Sequence, residues 1–172
     1  NNIPYDSARY DGNITGMTWK GANDRKIRKY DFGYDPVSRL TKAKFGQLVG
    51  SSFSTTPVNY NVDNMTYDNN GNILTMNQYG LKTTGTSSII DQLSYHYMAQ
   101  SNKLLNVIDQ ANDANSTLGD FKYDPNITKT ANTVDYTYDG NGNMISDQNK
   151  KITNIVYNIL NLPSQITISS KG

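Results

Sequence analysis

The sequence predicts an all-β fold in which antiparallel hairpins form a curved, twisted sheet of about ten short strands. All fifteen acidic residues are Asp, so Glu, one of the best helix formers, is absent, whereas the 13 Tyr favour strands. Apolar and polar residues alternate with a period of two in several segments. A motif rich in Asp, Asn and Gly recurs between those segments, as hairpin turns require. These three observations together predict the fold class.

The alternating segments predict the strands, taken here in chain order. Tyr30, Phe32 and Tyr34 fall on one face of an early strand. Later segments alternate in the same way: Leu93, Tyr95 and Tyr97; then Val134, Tyr136 and Tyr138; then Leu162, Ile166 and Ile168, after Val156 and Tyr157. Stretches rich in Ser, Thr, Gly and Asn at 50–57, 80–88 and 110–129 are interpreted as loops or longer hairpin tips. No change in composition marks a boundary, so we expect a single domain over residues 1–172.

One turn motif occurs twice in full. Tyr67-Asp68-Asn69-Asn70-Gly71-Asn72-Ile73 reappears as Tyr138-Asp139-Gly140-Asn141-Gly142-Asn143-Met144. In each copy the Asp carboxylate is placed to accept N–H groups of the next residues, and the second Gly suits a positive φ. The predicted structural turn residues are therefore Tyr67, Asp68, Gly71 and Asn72, with Tyr138, Asp139, Gly142 and Asn143.

Weaker copies of this motif begin at Tyr10, Tyr34, Tyr97 and Tyr157. In the last of them Asn158 replaces the Asp, and Leu is assigned to the Gly position. Tyr123-Asp124-Pro125 is either a local turn or a further decayed copy. Copies spread along a chain in this way are typical of repeat architectures.

The Tyr-Asp-x-x-Gly-Asn-Ile units, with a variant ending in Arg39-Leu40, resemble the YD repeats of bacterial Rhs proteins. The resemblance covers residues 10 to about 168. Thr18-Trp19-Lys20 and the run from Tyr30 to Asp35 are similar to Rhs-type proteins of the Bacteroidetes. The chain is therefore expected to be a fragment of the repeat region of a larger protein, a view that its first residues (1–5) and last residues (169–172) also favour.

The resemblance implies a non-enzymatic structural segment of a secreted or cell-surface protein. In that family the repeats form a β-sheet shell that can enclose a toxin. The family's self-cleavage segment is built around Asp-Pro-x-Gly, whereas Asp35-Pro36 and Asp124-Pro125 are followed by other residues. No cleavage residue is carried over. The expected partners are neighbouring repeats of the same protein and, through unpaired sheet edges, further copies of the chain.

Metal and cofactor sites are not expected. The turn motifs, which we also call corners, offer side-chain oxygens at alternating positions, as at Asp68, Asn70 and Asn72. A calcium loop of the EF-hand type, however, needs a Glu that the chain lacks. Cysteine is absent, which excludes thiolate metal sites and disulfides. His96 is the single histidine, and its alternation predicts a strand position facing solvent. A glycan hydrolase would need two carboxylates in one cleft, and turn roles explain most of the Asp residues.

Aromatic residues carry the main alternative, a carbohydrate-binding module. Exposed Trp19, Tyr30 and Tyr34 are the possible ligand contacts, because a row of such rings can stack on sugars. The competing interpretation is that these rings fill the sheet face, since Leu and Val are scarce. A formal net charge of +1 gives no reason to expect nucleic-acid binding. No apolar stretch approaches the ~18 residues of a membrane helix.

Overall fold

The computed structural model describes residues 5–6, 8–112, 115–116 and 119–169. Within these residues the regular structure consists of antiparallel β-strands, with no helix, and neither sheet closes on itself. The prediction of an open all-β fold is confirmed. Residues 1–4 and 170–172, which contribute to the fragment expectation, lie outside the described residues, as do 113–114 and 117–118 of the predicted loop 110–129.

The first sheet has eight strands: β1 (Gly16–Lys20), β2 (Ile27–Tyr34), β3 (Leu40–Val49), β4 (Ser52–Ser54), β5 (Val62–Tyr67), β6 (Ile73–Leu81), β7 (Ser87–Tyr97) and β8 (Leu104–Asp109). They follow the order β1-β2-β3-β5-β6-β7-β8, with β4 pairing beside β3. The second sheet has four strands: β9 (Tyr136–Tyr138), β10 (Met144–Asp147), β11 (Ile152–Tyr157) and β12 (Pro163–Ile168). Within each sheet, consecutive strands pair with one another, except that β5 pairs with β3 rather than with β4. The chain therefore meanders in each sheet, and its Tyr-Asp corners fall at one end of the strands.

The sequence predicts one sheet, whereas the structure has two that meet between β8 and β9. Asp135 N–H donates to the Leu105 carbonyl at 2.9 Å, and Val107 N–H donates to the Asp135 carboxylate at 3.4 Å. The side-chain amide of the fully buried Asn106 donates to the Thr133 carbonyl at 2.5 Å. Side chains therefore take up backbone groups that strand pairing would use, and the backbone ladder breaks at this seam.

Other elements also differ in detail from the prediction. The described residues contain twelve strands rather than about ten, and one of them, β4, lies inside the predicted loop 50–57. The predicted loop 80–88 is shorter, since β6 ends at Leu81 and β7 begins at Ser87. The described part of 110–129 contains an isolated bridge between Ser116 and Lys82 but no strand. Val134 precedes β9 because the seam interrupts pairing there.

The core is small and rich in aromatic residues. Its buried centre is Leu93, Val107 and Tyr136, against which Phe121 and other half-buried apolar side chains pack. Tyrosine supplies much of the apolar area that Leu and Val would supply elsewhere, and each phenol needs a hydrogen-bond partner when it is buried. The positions of those partners define the candidate site.

Candidate functional site

The corner at Asp68 is closed by its own carboxylate. Asp68 N–H donates to the Asn72 carbonyl at 2.9 Å, and Gly71 N–H donates to the Asp68 carbonyl at 3.2 Å. Oδ1 of Asp68 accepts the N–H groups of Asn70 and Asn72 at 2.9 and 2.8 Å. Oδ2 accepts the Asn72 side-chain amide at 2.8 Å. Both carboxylate oxygens are therefore used within the turn.

The second full copy repeats this geometry. Oδ1 of Asp139 accepts the N–H groups of Asn141 and Asn143 at 2.9 and 2.8 Å, and Oδ2 accepts the Asn143 amide at 2.9 Å. In both copies the Asn side-chain hydrogen bond is the main reason that the Asp pKa lies below its ordinary value. The hydrogen-bond donors surrounding these oxygens suit a turn cap rather than calcium ligands.

Positive φ angles mark the same position in four copies. Gly71 and Gly142 have φ of 87° and 89°, Ser38 has 67° and Asn161 has 55°. The assignment of Leu to the Gly position in the last copy is therefore wrong, because Asn161 occupies it. Asn tolerates the left-handed region better than most residues, which explains how this corner forms without Gly.

A column of tyrosine hydroxyls connects the corners. In five successive copies the first Tyr donates its hydroxyl proton to the carbonyl of the apolar residue that ends the preceding copy. The pairs are Tyr34 to Ile14 (2.8 Å), Tyr67 to Leu40 (2.5 Å), Tyr97 to Ile73 (2.8 Å), Tyr138 to Leu104 (2.9 Å) and Tyr157 to Met144 (2.7 Å). We call this set the tyrosine ladder. It includes the degenerate copies at Tyr97 and Tyr157 as well as the full ones.

Further contacts join one corner to the next. Arg39 Nη1 donates to the Asp68 carbonyl at 2.9 Å, and its guanidinium lies 4.7 Å from the centre of the Tyr67 ring. Lys103 lies over Tyr138 in the same way at 5.5 Å. Cations over tyrosine rings add electrostatic attraction to the packing. In these two copies, the residue before the terminal apolar residue covers the Tyr of the next copy.

The predicted ligand contacts lie in a packed aromatic group. The Trp19 and Tyr30 rings stack with centroids 5.5 Å apart, and Phe32 stacks on Tyr30 at 6.0 Å. The Tyr30 hydroxyl donates to the Tyr60 carbonyl at 2.9 Å. Tyr34 belongs to the tyrosine ladder. The half-buried rings of Trp19, Tyr30 and Phe32 stack face to face on one another, an arrangement that favours internal packing over stacking on sugars.

His96 is half-buried rather than facing solvent. Its Nδ1 lies 2.9 Å from Oδ1 of Asn106, at the seam between the sheets. The alternation places His96 on the sheet face opposite Tyr95 and Tyr97. The residues just before β9 cover that face too, because Asn106, the partner of His96, donates to their backbone carbonyls. The prediction failed because it treated the second face as solvated.

Sequence reasoning missed a cluster of three carboxylates formed by Asp91, Asp109 and Asp120, one oxygen of each lying within 4.8 Å of the others. Burial raises the pKa of Asp91 to about 6 and also raises that of Asp120. Asp91 and Asp109 are each 1 % exposed, so a glycan cannot reach them in this structure. The available signal was an Asp placed directly after two apolar residues, as in Ile89-Ile90-Asp91 and Val107-Ile108-Asp109.

Comparison of the chain with protein-family models, with curated proteins and with solved structures finds no match. Among the described residues, no helix has the length and apolar character needed to cross a membrane.

Proposed function

We propose that the chain is a non-enzymatic structural segment of the Rhs/YD-repeat type, in which successive repeats extend a β-sheet wall or scaffold. The observation that carries this proposal is the tyrosine ladder. Each hydrogen bond, or rung, of the ladder joins the Tyr of one copy to the end of the copy before it, so every internal copy both donates to one neighbour and accepts from the other. Because each of these bonds joins adjacent copies, added repeats would extend the sheet in one direction.

The outer strand of the second sheet supports the same proposal. All six residues of β12 are exposed, and Ile166 and Ile168 are 54 % and 62 % exposed. Leu162, in the corner before β12, is 57 % exposed. By the spacing of the ladder, the Pro163 carbonyl is the next acceptor. An apolar, unpaired strand edge of this kind is a template for another strand.

The occupant of this edge is proposed to be a further repeat, either from the same protein or from a second copy of the chain. The resemblance to YD repeats extends the proposal to a protein outside the cell or on its surface, with the sheet as part of a shell around a toxin. A carbohydrate-binding role has less support, because Trp19, Tyr30 and Phe32 stack on one another. A hydrolase role has less support, because the carboxylates that converge are buried.

Extending the sheet by one repeat tests the proposal. A second copy of residues 148–168 is fused directly after Ile168, which supplies a loop, a strand ending in Tyr, a corner and a return strand. We expect a higher melting temperature and slower hydrogen exchange at the β12 amides that face away from β11. The matched control is the same fusion with Phe in place of the added Tyr, which should recover less of the gain.

If the added residues leave both the melting temperature and the β12 exchange rates unchanged, the sheet does not extend by repeats and the proposal fails. Self-association of the unextended chain provides a second readout. Ile166→Lys places a charge on the edge strand and should reduce any dimer seen by light scattering, whereas Thr167→Lys, on the opposite face, is the comparison.

A further inference from the structure

Three carboxylates meet beneath the segment that follows β8. Asp91 lies on β7, Asp109 ends β8, and Asp120 belongs to residues 119–129, which we call the covering segment. One oxygen of each carboxylate lies within 4.8 Å of the others. Asp91 and Asp109 are each 1 % exposed, and the Asp120 side chain is also 1 % exposed. Three buried acids at this separation repel one another strongly unless protons or a cation compensate.

The hydrogen bonds of the cluster are unevenly distributed. Asp109 is well satisfied, since Oδ1 accepts the N–H groups of Gln92 and Ala111 at 2.7 and 2.9 Å and Oδ2 accepts that of Asn112 at 2.5 Å. Oδ1 of Asp91 accepts the Phe121 N–H at 2.7 Å. These bonds hold two of the carboxylates at fixed positions, as the ligands of a preorganised site must be held.

Asp120 differs from both, because neither of its buried oxygens has a hydrogen-bond partner. Its nearest recorded cation, Lys122 Nζ, is 3.6 Å from Oδ2, which is an ion-pair separation rather than a hydrogen bond. The Lys122 side chain is 41 % exposed and donates to the Ser116 carbonyl. A buried carboxylate that lacks donors and faces two other carboxylates is costly unless a ligand completes it.

We propose that Asp91, Asp109 and Asp120 bind one divalent cation, with Ca²⁺ favoured, and that the cation fastens the covering segment to β7 and β8. Three carboxylates with Lys122 beside them leave a formal charge of −2, which one divalent ion neutralises. The ligand atoms are all oxygens, which suits Ca²⁺ or Mg²⁺ rather than zinc or copper.

The geometry that each ion demands favours calcium over magnesium. Ca²⁺ accepts six to eight oxygen ligands in flexible arrangements, whereas Mg²⁺ requires near-ideal octahedral ligands. Three carboxylates from two strands and a loop do not impose octahedral geometry. The site is independent of the proposed wall function, because it lies at the loop end of β8 and takes no part in the tyrosine ladder.

The consequence is structural. Phe121 follows Asp120 directly and packs against the buried centre formed by Leu93 and Val107. A cation held between Asp120 and the two strands therefore keeps the covering segment over the core. Removal of the cation should loosen the covering segment first, because backbone hydrogen bonds between strands hold the rest of the sheet.

Titration of the chelator-treated full chain near neutral pH tests the proposal. We expect one Ca²⁺ per chain by calorimetry and, at about a hundred times the dissociation constant, a rise in melting temperature of about 5–10 °C. Tb³⁺ excited through nearby tyrosine provides a second readout on the unmodified protein, and its luminescence should fall when Ca²⁺ competes.

Asp120→Asn is the informative variant. It should abolish both the Ca²⁺-dependent rise and the Tb³⁺ signal, and it should raise the melting temperature of the metal-free protein because one buried charge is lost. Asp124→Asn, on the same covering segment but exposed and capping its own turn, should keep the full calcium response.

Absence of both a melting shift and Tb³⁺ luminescence at about 10 mM ion, well above the calcium needed by weak extracellular modules, would overturn the proposal. It is also overturned if Asp120→Asn responds to Ca²⁺ as the unmodified chain does. In that event a proton shared between the acids replaces the cation. An equal response to Mg²⁺ at the same concentration would overturn the preference for calcium.

Discussion

Removing one hydroxyl from the tyrosine ladder tests whether the ladder stabilises the sheet. Tyr138→Phe deletes the hydrogen bond to the Leu104 carbonyl, which measures 2.9 Å, and keeps the ring that packs near the core. A net hydrogen bond contributes about 0.5–1.5 kcal/mol. In a domain of this size that loss lowers the melting temperature by about 1–6 °C. The ring under Lys103 remains, so the change isolates the hydroxyl.

Thermal and urea unfolding measure the effect, and the other rungs extend it into a series. Tyr97→Phe and Tyr157→Phe should each lower the free energy of unfolding by a similar amount, because each of these tyrosines donates to a backbone carbonyl at 2.7–2.8 Å. Tyr10→Phe is the matched control, since this Tyr begins the first copy and is 97 % exposed. If Tyr138→Phe unfolds at the same urea concentration as Tyr10→Phe, the ladder contributes nothing and the reasoning is refuted.

Three further changes test the corners and the seam. Gly142→Ala should destabilise by about 1–2 kcal/mol in urea unfolding, since its φ is 89°, whereas Gly140→Ala in the same turn should be close to neutral; equal effects would contradict the turn geometry. Asp139 has a lowered pKa, so its stabilising contribution is present above the unfolded value of about 3.9 and is lost as pH falls through the folded value. Asp139→Asn should therefore flatten the fall in melting temperature below about pH 4, and an unchanged acid profile would count against the cap. Lys129→Met should cost about 3–5 kcal/mol by leaving the Asp135 carboxylate buried without its 2.7 Å partner, and the double variant with Asp135→Asn should recover part of this loss in the same unfolding assay.

The corners could be predicted from sequence because their information is local. Asp68 and Gly71 are three residues apart, and the bonds that close the turn stay within residues 68–72. The corner at Asn161 was assigned to the wrong residue because Asn can also adopt a positive φ, and composition alone does not show which Asn does so. The strength of local rules is therefore highest where Gly and Asp coincide.

The carboxylate cluster could not be predicted in the same way. Asp91 and Asp109 meet because β7 and β8 pair in a particular register, with Leu93 opposite Asp109. Asp120 joins them only because the covering segment lies over that pair. Register and the path of a long connection are tertiary properties, and the sequence pattern shows only that two acids stand in apolar strands.

The seam indicates which element of the architecture repeats. Backbone pairing is interrupted between β8 and β9, yet Tyr138 still donates to Leu104 there, as the other rungs do in continuous sheet. The connection from Tyr97 to Tyr138 includes the long stretch between Asp109 and Tyr136, and the rung forms nevertheless. The geometry that repeats along the chain is therefore the corner with its tyrosine. The loops at the other end of the strands differ in length from one copy to the next. A long loop at the end opposite the corners brings Asp120 over β7 and β8, so the proposed cation site lies apart from the repeated corners of the proposed wall.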